Sequence, residues 1–263
     1  MSVIDDFRIF RACFPKLSLS EEDLALLTRH DGRFSLEGGF ALTDGGRIIL
    51  LCVSPEYRGR GIGTELLSQC EHSIAQMGYE KAVLGGELFG GAVDESSEFF
   101  RRRGYSLGNE FCEMFVDMSR AAVPHGYSDP LPPTEADFRF LSGVTDELVS
   151  AVKSVDEEWV QYFDRDIFCG FVGGRLVSFC IVEDDVTCAL SGGDIRMGSV
   201  GCVGTIPSAR GRGIGLKMVS LALEELSRRG CERCLIHQTH LDKWYGRLGA
   251  QTAFRFRTGE KML

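Results

Sequence analysis

The chain has 263 residues, 29 basic and 38 acidic side chains, and a formal net charge of −9. Hydrophobic residues make up 44% and charged residues 25%, the balance of a folded globular protein and not of a disordered one. No apolar run approaches the ~20 residues that span a bilayer, no basic-then-apolar leader opens the chain at Met1-Ser2-Val3-Ile4, and the acidic balance argues against a broad nucleic-acid footprint.

Taken in chain order, Ile48-Ile49-Leu50-Leu51-Cys52-Val53 reads as a strand, ended by Pro55, which has no N–H for a ladder. Arg58-Gly59-Arg60-Gly61-Ile62-Gly63 is a glycine-rich turn. Ile62, Leu66, Cys70, Ile74 and Met77 follow at helical spacing, with Gly78 at the position of a helix C-cap. Lys81-Ala82-Val83-Leu84 is a second strand, Glu98–Tyr105 the end of a short helix closed by Gly104, and Phe111–Val116 part of a closing hairpin. Four of the seven prolines (Pro124, Pro130, Pro132 and Pro133) then crowd a stretch that reads as a linker, 121–134. Beyond it, Leu148, Val152, Val155 and Trp159 space as a helix face. Residues 167–172 and 175–182 form a β-hairpin around Gly173-Gly174.

The first pattern then returns. Val200–Ile206 is a strand ended by Pro207, and Arg210-Gly211-Arg212-Gly213-Ile214-Gly215 repeats the earlier hexapeptide at an offset of 210 − 58 = 152 residues. That offset is too long for a solenoid and suits a duplicated domain. Val219, Ala222, Leu223 and Leu226 give the helix, Gly230 its cap, Cys234-Leu235-Ile236 the next strand, Lys243–Ala250 the short helix and Thr252–Phe256 the closing hairpin. Each half therefore contains a βαβ unit. The reading is an N-terminal domain over 1–120, a linker over 121–134 and a C-terminal domain over 135–263.

A glycine turn between strand and helix suits an anion, because backbone N–H groups come close and the helix N-terminus adds partial positive charge. The third glycine of a dinucleotide fingerprint and the Lys-Ser/Thr of a Walker loop are both missing. The remaining pattern, Arg-x-x-Gly-x-Gly after a strand and before a helix, resembles the acetyl-CoA loop of the GNAT superfamily of N-acyltransferases. Both copies match it, through Arg58, Gly61 and Gly63, and through Arg210, Gly213 and Gly215. The resemblance implies two tandem GNAT-like α/β domains, each a mixed central sheet flanked by helices, packed as a pseudo-dimer. It implies that the loop backbones, 58–63 and 210–215, hold the coenzyme A pyrophosphate. It also implies that Cys52 and Val53, and Val203, Gly204 and Thr205, pair through their backbones with the pantetheine arm. The activity implied is transfer of an acetyl group from acetyl-CoA to a primary amine by direct attack.

The halves differ in chemistry. In the family the leaving thiolate is protonated by a tyrosine in a motif like Trp-Tyr-x-x-x-Gly, which matches Trp244-Tyr245-Gly246-Arg247-Leu248-Gly249. The first half has Phe99-Phe100 there, without a proton to give. This asymmetry favours catalysis by Tyr245 in the second half, with a shortened first half that binds coenzyme weakly or only supports the fold. Trp159 is a candidate for the acceptor wall. His237 and His240 are candidates to face the acceptor amine, although each reads more readily as an ordinary strand-end histidine. Glu183, Asp184 and Asp185 read as a solvated turn or as an attraction for a cationic amine.

The ten cysteines are scattered among apolar neighbours. They read as small buried thiols of a reduced, cytoplasmic protein, with no metal spacing. The expected partner is a small-molecule or peptide amine, with no nucleic acid or membrane, and the expected state is a monomer. The competing reading is a non-catalytic acyl-CoA-binding or interaction module.

Overall fold

The computed structural model describes residues 3–17, 19–118, 135–164, 166–191 and 195–263. The proline-rich stretch 121–134 lies outside the described residues. The first part of the chain runs α1 (Val3–Cys13), α2 (Glu21–Leu27), β1 (Gly32–Leu36), β2 (Gly39–Asp44), β3 (Arg47–Val53), α3 (Ile62–Gln76), β4 (Lys81–Leu84), β5 (Ala92–Val93), α4 (Asp94–Arg101) and β6 (Ser106–Asp117). It continues with β7 (Asp137–Leu141), α5 (Asp146–Lys153), β8 (Ile167–Val172), β9 (Arg175–Glu183), β10 (Met197–Thr205), α6 (Ile214–Arg228), β11 (Arg233–Thr239), α7 (Asp242–Gly246) and β12 (Gln251–Met262). Two compact units result. The first comprises Met1–Cys112, Thr187–Asp194 and Phe254–Leu263; the second comprises Glu113–Val186 and Ile195–Ala253.

In the first unit β1, β2 and β3 are antiparallel neighbours, β3 and β4 are parallel, and β4 is antiparallel to β12. The period-2 alternation of β2 sends Phe40 and Leu42 into a cluster with Ile9, Phe10, Leu24 and Leu27 of α1 and α2. Ala41 joins Leu66, Leu67, Cys70 and Ile74 of α3 in another cluster. Leu66, Cys70 and Ile74 are each 0% exposed and form the buried face of α3, whereas Ile62 of the same stripe is partly buried and Met77, one residue past the helix, is 45% exposed. Gly78 then ends that segment with φ +89°, a left-handed turn that favours glycine. A capping box starts α2: the Asp23 N–H donates to Ser20 Oγ at 3.0 Å, and the Ser20 N–H donates to Asp23 Oδ2 at 3.2 Å.

In the second unit β7, β8, β9 and β10 are antiparallel in that order, and β10 is parallel to β11. Gly173 and Gly174, at φ +57° and +81°, give the two left-handed positions that a tight type I′ hairpin between β8 and β9 needs. Val219, Ala222, Leu223 and Leu226 are the buried stripe of α6.

Two expectations change. The helix face expected to reach Trp159 stops with α5 at Lys153, and Trp159 sits in a 3-10 turn over Glu157–Tyr162. The expected closing hairpins are each one unbroken twelve-residue strand, β6 and β12. Gly108-Asn109, two residues before Phe111, reads as a turn signal, but β6 runs straight through it. The last strand of the chain completes the first unit: Gly259, Glu260, Lys261 and Met262 pair with Leu84, Val83, Ala82 and Lys81. The ion pairs Lys261–Glu71 and Lys81–Glu260 flank that pairing, at 2.8 and 2.7 Å. Conversely, Glu113–Asp117 of β6 belongs to the second unit. The compact units therefore do not follow the 1–120 and 135–263 division drawn from sequence order.

Phe256 lies seven residues from the end of the chain, yet it is 1% exposed and stacks on Phe111 in the first unit, with ring centroids 6.0 Å apart. Phe256→Ala is expected to cost about 3–5 kcal/mol. Hydrogen exchange should show faster opening in β4 and β12, with α6 unaffected.

Candidate functional site

Each unit places its glycine loop at the mouth of a parallel strand pair that opens. The β3–β4 pairing covers Arg47↔Val83 and Ile48↔Leu84 only, while β3 continues to Val53. The β10–β11 pairing covers Met197–Ser199 against Arg233–Leu235, while the strands continue to Thr205 and Thr239. Beyond those few pairs the two strands of each pair no longer bond to each other.

The two loops have the same backbone. A 3-10 turn, Pro55–Tyr57 or Pro207–Ala209, leads to an extended arginine, Arg58 (φ −66°, ψ 158°) or Arg210 (φ −68°, ψ 159°). Gly59 and Gly61 then have φ +75° and +86°, and Gly211 and Gly213 have +77° and +73°. A Cβ at Gly59, Gly61 or Gly211 would meet nothing within 4 Å. The glycines are thus required by left-handed backbone and by open approach, not by crowding. Arg58 Nε donates to Val53 O at 3.0 Å, and Arg210 Nε donates to Thr205 O at 3.0 Å. Among the described residues, the N–H groups of Gly59, Arg60, Gly61, Ile62 and Gly63 have no acceptor, and the same holds for Gly211, Arg212, Gly213, Ile214 and Gly215. Five successive free donors at the start of a fifteen-residue helix, beside an arginine, form a cradle for an anion. The chemistry fits a pyrophosphate.

In the first unit the cradle opens into a cavity of about 620 Å³. Its walls include the diverging β3 from Ile48 to Leu51, Val53, Leu84 and Gly85, the loop from Arg58 to Thr64, Cys13 and Phe14 of the α1 end, and Phe99, Phe100, Arg102 and Arg103 around the end of α4. Arg103 Nε donates to Thr64 Oγ1 at 3.1 Å, and its guanidinium lies 3.8 Å over the Phe99 ring. A guanidinium is thereby held at the loop.

The aromatic pairs align by their contacts. A Cβ on Gly63 would lie 3.2 Å from Phe99, and a Cβ on Gly215 would lie 3.6 Å from Trp244. Phe99 and Trp244 thus occupy equivalent places, and so do Phe100 and Tyr245. Both second members are buried, and the Tyr245 ring stands edge-on to Trp244 at 4.7 Å. Burial pushes the Tyr245 hydroxyl above the ordinary tyrosine value, reinforced by the nearby thiols of Cys180, Cys234 and Cys202. It stays protonated through neutral pH.

A β-bulge marks the strand expected to hold the pantetheine arm in the second unit. Between Gly201↔Ile181 and Gly204↔Phe179, β10 has one residue more than β9, and Cys202 takes φ +47°. Val203 thereby stands outside the ladder with β9. Gly204 is obligatory, since a Cβ there would lie 2.2 Å from the Phe179 ring. Its carbonyl accepts from Ser178 Oγ at 2.7 Å, and Thr205 Oγ1 is 3.0 Å from the same hydroxyl.

His237, 44% exposed, has Nδ1 2.8 Å from Oε2 of Glu113, a carboxylate 3% exposed in β6. The Gln238 N–H donates to the other carboxylate oxygen at 3.3 Å. Sequence reasoning missed Glu113, although a charged residue within Phe111–Val116 was the available signal. It also missed Cys13 and Arg103, which reach the first cleft from helix ends. Trp159 packs, partly buried, against the core cluster of Leu148 and Phe179. His240 is exposed in the bend before α7. The Glu183–Asp185 turn is engaged internally: Glu183 accepts from Ser199, and Asp184 pairs with Arg196 at 2.9 Å.

The Acetyltransferase (GNAT) domain family matches residues 26–107, and the Acetyltransferase (GNAT) family matches residues 135–250. The chain belongs to the GNAT superfamily. It is a tandem member, with the two matches covering most of its length. Among solved structures, this GNAT protein is similar to the GCN5-related glucosamine N-acetyltransferase region of a fungal multi-domain GH3 β-N-acetylglucosaminidase. That match has 22% identity and a TM-score of 0.75, covering 98% of this chain and 36% of that one. A GCN5-related N-acetyltransferase from Sphaerobacter thermophilus matches at 17% identity and TM-score 0.67, over 97% of this chain and 90% of the other. A tandem GNAT protein from the clavulanic acid biosynthesis pathway matches at 14% identity and TM-score 0.61, over 100% and 97%. These likenesses establish the fold. No curated protein sequence matches significantly. Among the described residues, no helix of this GNAT protein is long and apolar enough to cross a membrane.

The Glu113 contact predicts one tautomer for neutral His237, with the proton on Nδ1 and the lone pair on Nε2. Nitrogen-15 NMR of the ring should show it, and Glu113→Ala should abolish the preference.

Proposed function

We propose that this GNAT protein transfers an acetyl group from acetyl-CoA to a primary amine by direct attack in a ternary complex. The observation that carries the reading is the pair of anion cradles, each of five free N–H donors and an arginine at the mouth of opening parallel strands. Acetyl-CoA supplies the acetyl group as an activated thioester. The loops 58–63 and 210–215 hold pyrophosphate, and the strand edges near Val53 and Val203 to Thr205 align the pantetheine arm.

Catalysis is assigned to the second half. Tyr245, kept protonated by its burial, donates a proton toward the departing thiolate. His237, with Nδ1 held by Glu113, presents Nε2 to take a proton from the amine, directly or through a water. Glu113 is a positioning residue, acting through the histidine. The first half has Phe100 in place of the acid, yet it has the 620 Å³ cleft with Arg58 and Arg103 on its walls. That cleft favours coenzyme binding in the first half over a purely supporting role. A non-catalytic acyl-CoA site there is the second reading, and it coexists with catalysis by the other half.

Calorimetric titration with acetyl-CoA separates the sites. Two sites are expected in the wild type, with one lost in Gly61→Trp/Gly63→Trp and the other in Gly213→Trp/Gly215→Trp. No binding in the wild type would overturn the acetyltransferase reading. With turnover followed on a panel of amines that includes amino sugars, Tyr245→Phe should lower kcat about 100-fold or more, within the usual range for a lost general acid, and leave coenzyme affinity unchanged.

A further inference from the structure

One thiol, Cys13, lies on the wall of the first-half cleft, and a second, Cys52, lies in the apolar cluster against which Cys13 packs. Cys13 is the last residue of α1, half-buried, and lines the cavity; Cys52 lies on β3 and is 1% exposed. Cys13 packs, partly buried, against the cluster that contains Cys52, and its thiol donates to the carbonyl of the residue after Cys52, Val53 O, at 3.3 Å. The same carbonyl accepts from Arg58 Nε at 3.0 Å, which brings the guanidinium charge to the Cys13 sulfur. The Cys52 thiol, with Arg58 behind it, holds the Cys13 thiol down to about 7 despite its burial. Burial pushes Cys52 the other way and keeps it a neutral thiol. Cys70, Cys169, Cys180, Cys202, Cys231 and Cys234 are all pushed up by burial as well. Cys13 therefore stands apart in having a cavity in front of it, a cation beside it and a second thiol behind it.

We propose that Cys13 and Cys52 are a redox-active thiol pair, a modification site that takes a hydroperoxide from the cleft and ends as a disulfide within the chain. The Cys13 thiolate attacks one peroxide oxygen, an S–O bond forms and the O–O bond breaks. Cys13 becomes a sulfenic acid, and the peroxide leaves as water or an alcohol after taking up a proton. The Cys52 thiol then attacks the Cys13 sulfur, the S–S bond forms and water departs. The two cysteines lose one electron pair and the peroxide gains it. The coenzyme need not be present for any of these steps.

The full chain is treated with one equivalent of hydrogen peroxide and mapped by peptide mass spectrometry. A Cys13–Cys52 disulfide, reversed by dithiothreitol, is expected. Cys52→Ser should instead accumulate a Cys13 sulfenic acid trapped by dimedone, and Cys13→Ser should leave Cys52 reduced. Cys13 should also alkylate with iodoacetamide at pH 7 about tenfold faster than an ordinary thiol, as its larger thiolate fraction requires. A wild type whose Cys13 proceeds to sulfinic acid without a disulfide overturns the pair. So does a Cys13→Ser variant whose Cys52 oxidises at the wild-type rate. Saturating coenzyme A should slow the oxidation, an arm that rests on the coenzyme assignment of this cleft. An unchanged rate with the disulfide still formed supports the thiol pair and overturns that assignment.

Discussion

Two parallel strands that pair over two or three residues and then part, with a left-handed glycine turn at the open end, set the rest of each unit. After Ile48 and Leu84, or after Ser199 and Leu235, the two strands no longer bond to each other. The turn reverses the chain into α3 or α6 with its first amides unspent, because Gly59, Gly61, Gly211 and Gly213 adopt φ values that other residues resist. Arg58 and Arg210 brace the turn by donating to the last carbonyl of the strand they follow. The anion site is therefore made mostly of main chain, which explains how two copies keep one geometry while their flanking side chains differ.

Those flanking side chains differ between the two halves. Beneath the first loop, Phe99, Phe100 and Arg103 supply aromatic packing and positive charge next to a cavity. Beneath the second, Trp244 takes the place of Phe99, and Tyr245 adds a hydroxyl among buried thiols. Glu113 adds to the difference. A carboxylate 3% exposed needs a partner to offset its burial, and His237 and the Gln238 N–H supply it.

Much of this was legible in the chain itself. The Leu66–Cys70–Ile74 stripe, the β8–β9 hairpin at Gly173-Gly174, and the capping glycines Gly78 and Gly230 are local features, and local spacing encodes them. Trp159 was misplaced onto a helix because apolar spacing alone does not show where a helix stops. The closing strands were misread as hairpins because the pairing that extends them comes from residues far away in sequence: Lys81–Leu84 lie some 180 residues from Gly259–Met262.

The sequence by itself determined the duplication, the two anion loops, the family and the Phe100–Tyr245 asymmetry, since each rests on residues adjacent in the chain whose backbone demands are intrinsic. Only the tertiary structure decided that β12 completes the first unit, that Glu113 holds His237 across 124 residues, and that Cys13 packs against the cluster of Cys52 and shares the Val53 carbonyl with Arg58 at a cleft wall. These contacts form between distant segments once the apolar faces have been buried. No periodicity or motif along a single segment encodes which side chains that burial brings together.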